Sequence, residues 1–256
     1  MLNFAIQTAR DAGRLLAEKF GRALQVTSKG DIDIVTEADL ASERLIVERI
    51  QSYHPRHSIL TEEAGDVVAV GDQRAEYKWI VDPLDGTTNY AHGYPCFCVS
   101  IALEHDGRVV AGVVYDPLRD ELFAAERGEG ATLNGRRIRV SDTQELGGAL
   151  LCTGFPYDVR ERGDFARHFR QFIMRAQSVR RDGAAALDLA YVAAGRFDGF
   201  YEEGLRPWDV AAGVLLVEEA GGRVTHYDGA RFDIYSQLIA ASNGLIHDSM
   251  LEVLQQ

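Results

Sequence analysis

The sequence predicts a mixed α/β fold, an α+β layered sandwich in which helices alternate with sheets, and three observations carry that prediction. Apolar residues recur at helical spacing near the start, the middle reads as successive antiparallel strands, and beyond about residue 148 strand and helix alternate. At 256 residues and 46% hydrophobic, the chain is long enough to bury one large core or two closely joined lobes.

Ala5, Ala9, Ala12, Leu16 and Phe20 share one helical face, interrupted by Arg10, Asp11, Arg14, Glu18 and Lys19. That pattern is an amphipathic helix rather than a signal sequence, and no apolar run approaches the roughly 20 residues a membrane span needs. Asp33 to Thr36 reads as a short strand or turn leading into a second helix carrying Ala41, Leu45, Ile46 and Ile50. Tyr77 to Val81 is a buried strand stopped by Pro83. Phe97 to Leu103 and Val109 to Val114 flank His105, Asp106 and Gly107 as a hairpin, and Asn134-Gly135 marks another tight turn. A strand around Leu150 to Thr153 follows, then a helix carrying Phe165, Phe169, Phe172 and Ile173. With no linker, repeat or low-complexity run, residues 1–256 are expected to form one catalytic unit of two lobes, about 1–147 and 148–256.

A net charge of -12 and a sequence pI near 5.0 argue against nucleic acid as the main partner, because phosphate contacts demand clustered Lys and Arg. Cys96, Cys98 and Cys152 form neither an even framework nor a CxxC pair, so they read as small buried side chains in a reducing compartment. The expected location is the cytoplasm.

The chemistry concentrates in Trp79-Ile80-Val81-Asp82-Pro83-Leu84-Asp85-Gly86-Thr87-Thr88-Asn89. Pro83 fixes its own φ and keeps Asp82 out of helical geometry, so the chain turns and two carboxylates three residues apart can converge. Gly86 permits tight backbone geometry, and Thr87-Thr88-Asn89 can open a helix whose free N–H groups face an anion. Two like charges 4 Å apart cost about 4 kcal/mol at an effective dielectric of 20, a penalty that divalent cations remove. Oxygen-only ligands favour Mg²⁺ over Zn²⁺. The bland alternative is a strand-end turn in which Asp82 and Asp85 only cap backbone.

Here the chain resembles the inositol monophosphatase family, in particular its bacterial members and the wider group of Mg-dependent, Li-sensitive phosphatases. The matching residues are Asp82-Pro83-Leu84-Asp85-Gly86-Thr87, Thr61-Glu62-Glu63, Val35-Thr36-Glu37-Ala38-Asp39 and Pro207-Trp208-Asp209-Val210-Ala211-Ala212-Gly213. The resemblance implies the family's sugar phosphatase fold, with two or three Mg²⁺ ions held by Glu62, Asp82, Asp85, Asp209 and the Leu84 carbonyl, Asp82 bridging two of them. It implies that Thr87 and Asp39 orient the attacking water, with Glu62 at the same catalytic centre. By the same match, Gly86, Thr87 and Thr88 present amides to the phosphate, and Lys29 supports the site from its loop. Asp85, Ala185, Glu202 and Asp209 would meet the substrate, Glu202 and Asp209 accepting hydrogen bonds from its hydroxyls. Ala184 stands where many members have Ser or Thr, which leaves the preferred alcohol open.

The resemblance further implies hydrolysis of a phosphate monoester on a small polyol, myo-inositol 1-phosphate first, by metal-activated water. Lithium inhibition and a homodimer are expected with it. Related enzymes cleave fructose 1,6-bisphosphate, bisphosphorylated nucleosides or histidinol phosphate, and a shared fold does not choose among them. Phosphatases of the haloacid dehalogenase type, which attack with an aspartate in Asp-x-Asp-Gly-Thr, are disfavoured because Pro83 and Leu84 place two residues between the aspartates instead of one. A second class of function is a binding partner of RNA or a protein complex. Between Arg160 and Arg181 seven arginines face only two acids, Glu161 and Asp164.

Overall fold

In the computed structural model, residues 1–22, 26–28, 34–67, 75–156 and 164–256 are described. Lys29, Asp33 and the 160–162 part of the arginine-rich segment lie outside them.

In chain order the elements are α1 (Leu2–Lys19), β1 (Val26–Ser28), β2 (Ile34–Thr36), α2 (Glu37–Tyr53), β3 (Ser58–Thr61), β4 (Gly65–Val67), β5 (Tyr77–Asp85), α3 (Thr87–Ala91), β6 (Cys98–His105), β7 (Arg108–Asp116), β8 (Glu121–Glu126), β9 (Gly130–Leu133) and β10 (Arg136–Arg137). There follow β11 (Leu150–Thr153), α4 (Asp164–Ile173), β12 (Ser178–Arg180), α5 (Ala185–Ala193), β13 (Gly199–Glu203), α6 (Pro207–Glu219), β14 (Arg223–Thr225), β15 (Leu238–Ser242) and α7 (His247–Leu254). None of the described helices is long and apolar enough to cross a membrane.

Two large sheets organise the chain. The first has eight strands in the order β10-β9-β8-β7-β6-β5-β3-β4, antiparallel throughout except where β3 runs parallel to β5. The second has the order β12-β11-β13-β15-β14, with β12, β11 and β13 parallel and β15 and β14 antiparallel to their neighbours. Helices α1 and α2 pack on one face of the first sheet, while α5 and α6 fill the space between the sheets. Beyond the second sheet, α7 packs on β15 and α4 on β12 and α7. The layers therefore alternate helix, sheet, helix, sheet, helix, as the periodicities predict.

Each layer contact is an apolar core. Ala5, Ala9, Ala12 and Leu16 of α1 join Trp79, Val99, Ile101 and Val113 on the outer face of the first sheet. The inner faces of both sheets share one cluster with α5 and α6, including Leu187, Leu189, Val210, Leu215 and Phe200. Burying such side chains stabilises by about 1.5–3 kcal/mol each before chain entropy is counted. Gly213 lets α6 lie against Leu189 of α5, where an added Cβ would sit 2.5 Å from the Leu189 Cβ.

The structure corrects the expectation that Pro83 stops the strand at Val81. β5 continues to Asp85, opposite β6, with its register shifting between the Asp82↔Ser100 and Asp85↔Cys98 pairs. Proline cannot donate to the ladder, so the strand accommodates it with an irregularity rather than ending. That irregularity carries Asp82 to Asp85 out of the regular register at the end of the strand.

Candidate active site

The strand end is held from below by α2. Its N-cap Thr36 accepts from the Ala38 N–H at 3.1 Å, and Asp39 Oδ2 accepts from the Thr36 N–H at 2.9 Å, a reciprocal cap. Asp39 Oδ1 is thereby aimed at the Thr87 hydroxyl, which donates to it at 2.8 Å and also lies 3.0 Å from the Leu84 carbonyl. The Ser42 hydroxyl donates to the Pro83 carbonyl at 2.8 Å, and Glu43 Oε2 takes the Thr61 hydroxyl and, at 3.1 Å, the Glu63 N–H. Thus three polar residues on one helix face fix both the Asp82–Thr87 loop and the turn carrying Glu62. Asp39 and Ser42 are fully buried.

Asp82, buried, accepts the Leu84 N–H at 3.0 Å. Burial pushes its carboxyl well above the usual carboxylate range, and the negative charges of Glu62, Asp85 and Asp209 push it further. Asp85 is raised to about 6, mainly by burial, against the amides of Ala186, Leu187 and Ala185 that stabilise its anion. Asp209, in the first turn of α6, accepts the Arg206 N–H at 2.6 Å, and burial followed by the charges of Glu62 and Asp85 raises it. Burial raises Asp39 as well, opposed by its bonds from Thr36 and Thr87.

The structure thus gathers Glu62, Asp82, Asp85 and Asp209, from three separate segments, within electrostatic reach of one another. Among the described residues no three His, Cys, Asp or Glu side chains close a metal chelate by themselves. The strongest charges acting on Asp82 are all negative. An all-oxygen set of carboxylates fits a hard divalent cation, and Glu62, Asp82, Asp85 and Asp209 would be the side chains to hold one. The Leu84 carbonyl oxygen lies 3.0 Å from the Thr87 hydroxyl, whose one proton goes to Asp39, and so keeps its lone pairs.

Gly86 adopts φ +92 as the N-cap of α3, and an added Cβ would approach the Cys96 carbonyl to 2.8 Å. Helix α3 begins at Thr87 as expected, with Thr87 buried and Thr88 exposed. Glu202 lies buried on β13, its carboxyl pushed up to about 8, chiefly by burial and also by Asp85, against the opposing Arg181. Its carboxylate lies where a Cβ at position 154 would stand, so only glycine leaves it room. Ala185, at the start of α5, donates its N–H to Asp85 Oδ1 at 3.2 Å.

A family model described as the inositol monophosphatase family matches residues 1–256. The chain belongs to the inositol monophosphatase family. Members of this family are phosphoric monoester hydrolases, and this chain is such a phosphatase. It is 45% identical over 259 residues to the inositol-1-monophosphatase of Mesorhizobium japonicum, covering 100% of this chain and 96% of that one. It is 46% identical over 260 residues to the Nus factor SuhB of Pseudomonas aeruginosa, with the same coverage of 100% and 96%. The solved inositol monophosphatase of Anabaena (Nostoc) sp. superposes with a TM-score of 0.90 at 49% identity, over 100% of this chain and 95% of that chain.

The motifs do not single out Ser42, Glu43 or Gly154, although Ser42 and Glu43 bond the backbone or neighbours of site residues and Gly154 leaves room for Glu202. Thr36 and Asp39 carry a readable signal, the Thr-x-x-acid spacing of a helix cap. Ser42 and Glu43 carry none, because a polar residue on a helix face reads as solvated until the fold shows what covers it.

Proposed function

We propose that this family member is a Mg²⁺-dependent phosphatase acting on a monoester of a small polyol, with myo-inositol 1-phosphate as the preferred substrate. One observation supports it above the rest: Asp82, the centre of the acid cluster, lies with Asp85 on the same loop as Thr87, whose hydroxyl meets Asp39. Two or three Mg²⁺ ions, when bound, would supply positive charge that acidifies water and offsets charge on the phosphoryl oxygens. Asp39 and Thr87 then hold and orient the attacking water through the Thr87 hydroxyl, with Glu62 beside them. The backbone amides of Gly86, Thr87 and Thr88 meet the phosphate, and Asp85, Ala185, Glu202 and Asp209 meet the alcohol. In this reading residues 1–147 form the metal and phosphate lobe and residues 148–256 the substrate lobe. Asp209 is the metal ligand that the second lobe contributes.

Rates with inositol 1-phosphate, glycerol 2-phosphate, fructose 1,6-bisphosphate and adenosine 3',5'-bisphosphate test the substrate. The inositol ester should give the highest kcat/KM; a tenfold preference for either bisphosphate would overturn the assignment. Inhibition by Li⁺, a homodimer and a cytoplasmic location belong to the same reading. Its aspartyl-phosphate rival would leave a labelled covalent intermediate on denaturation.

A second reading is supported by α4 and the turn after it, where Arg167, Arg170 and Arg175 line a surface hollow of about 560 Å³ together with Gln171, Met174 and Gln256. These arginines offer a basic face on an acidic protein, and the Pseudomonas relative is named a Nus factor. Charge reversal of Arg167 and Arg170 should abolish RNA or protein capture with catalysis intact; unchanged capture would remove this reading.

A further inference from the structure

The loop that ends β5 grips the start of α5 from two directions. Asp85 accepts the Ala185 N–H at Oδ1, 3.2 Å, and the Ala186 N–H at Oδ2, 2.8 Å. Four residues on, the Asn89 carboxamide does the reverse. Its Nδ2 donates to the carbonyls of Asp182 at 2.8 Å and Gly183 at 3.3 Å, and to Cys96 of its own loop at 2.8 Å.

Helix α5 depends on such outside partners. A helix leaves its first N–H groups unsatisfied, and its N-cap residue usually supplies a side-chain acceptor. The N-cap here is Ala184, which has none, so Asp85 serves as the cap from another segment. Gly183 adopts φ +82, and an added Cβ would come within 3.3 Å of the Asn89 Nδ2 and 2.7 Å of an Arg181 guanidinium nitrogen. The carboxamide therefore lies against bare backbone. Asp85 takes the amides on one side of Ala184 and Asn89 gives protons to the carbonyls on the other, so translation of α5 in either direction breaks one set.

We propose that Asn89 is a positioning residue for the substrate, clamping residues 182–186 with Asp85 so that Ala185 stands at a fixed distance from the acid cluster. This rests on the reading that Ala185 meets the substrate alcohol. Among the described residues, the side-chain hydrogen bonds of Asn89 run to the 182, 183 and 96 carbonyls and not to the acid cluster or the Thr87–Asp39 pair. Its removal therefore loosens Ala185 against an intact catalytic centre.

The test is Asn89→Ala in the full chain. Losing the half-buried bonds to the 182 and 183 carbonyls should raise KM for inositol 1-phosphate about tenfold. kcat, the inhibition constant for inorganic phosphate and the half-saturating Mg²⁺ concentration should stay within about twofold. Hydrogen exchange at the 184–188 amides should accelerate. A merely structural lesion would lower the active fraction, and so kcat, without moving KM; that result, or unchanged exchange, overturns the proposal. KM, phosphate and Mg²⁺ constants rising in step would also overturn it, because the damage would then lie in the metal site. Asn89→Leu, similar in shape, uncharged and unable to donate, carries the same expectation if the alanine variant does not fold. The exchange measurement needs no substrate, so it decides the clamp even if the wild type turns over no polyol ester.

Discussion

The Thr87 hydroxyl donates to Asp39 Oδ1 across 2.8 Å, joining the loop at the end of β5 to the first turn of α2. A hydroxyl whose proton is committed to a carboxylate keeps its oxygen lone pairs for a water's proton. Thr87→Val should therefore lower kcat about a hundredfold with little change in KM, and Thr87→Ser should retain most of it. Steady-state kinetics check this. Loss of activity in the Ser variant with activity kept in the Val variant would mean the methyl group, not the hydroxyl, is what matters.

Gly154→Ala puts a methyl where the Glu202 carboxylate lies. The carboxylate must swing away from the alcohol it is proposed to accept from, so KM should rise about tenfold while kcat changes less. A comparison of KM for inositol 1-phosphate in both proteins is enough. An unchanged KM would remove Glu202 from substrate binding.

The chelated protein should lose thermal stability as pH rises from 6.5 to 8. Glu202 is raised by burial to about 8, so through this window the folded state holds a proton that the unfolded chain has already released. Stability from a raised carboxyl is complete below its unfolded value and is lost as pH climbs through the folded one. The window starts at 6.5 because His247, buried between Thr225 and Ser242 and lowered to about 4, contributes in the opposite sense at lower pH. Melting curves in chelator across this range should fall, Glu202→Gln should flatten the fall, and added Mg²⁺ should raise the pH 8 value most.

Gly86→Ala combines a left-handed φ with an approach of 2.8 Å to the Cys96 carbonyl. The strain should cost about 1–3 kcal/mol of stability, measurable by denaturant unfolding, and it should displace Asp85 and Thr87 enough to cut activity as well. A variant of wild-type stability would show that the loop has room the geometry denies it.

Much of this was legible in the sequence where one periodicity dominates. The α1 face, the β6–β7 hairpin, the Asn134-Gly135 turn and β11 follow directly from spacing and turn chemistry. α2 was harder, because its buried face carries Asp39, Ser42 and Glu43 beside Ile46 and Ile50, while Ala41 and Leu45 are only half-buried. Polar residues buried for the sake of a site weaken the very pattern that locates a helix. The Asp82–Thr87 motif announced its carboxylates, but the extension of β5 through Pro83 depends on pairing with β6, which local rules do not contain. The role of Ala184 was equally hidden, since its missing cap is supplied by Asp85, about a hundred residues away in sequence.

Asp82→Asn keeps the volume and removes one charge from the centre of the acid cluster, so hydrolysis at ordinary Mg²⁺ should fall by roughly a hundred- to thousandfold or more. The most direct test is anomalous diffraction from crystals grown with Mn²⁺ and phosphate. Peaks at about 2.0–2.6 Å from Asp82, shared with Glu62 and Asp85, and a further peak reaching Asp209, are the expected result. Density that leaves Asp82 without a cation, at Mn²⁺ concentrations that saturate activity, would contradict a hard-cation phosphatase built on this strand end.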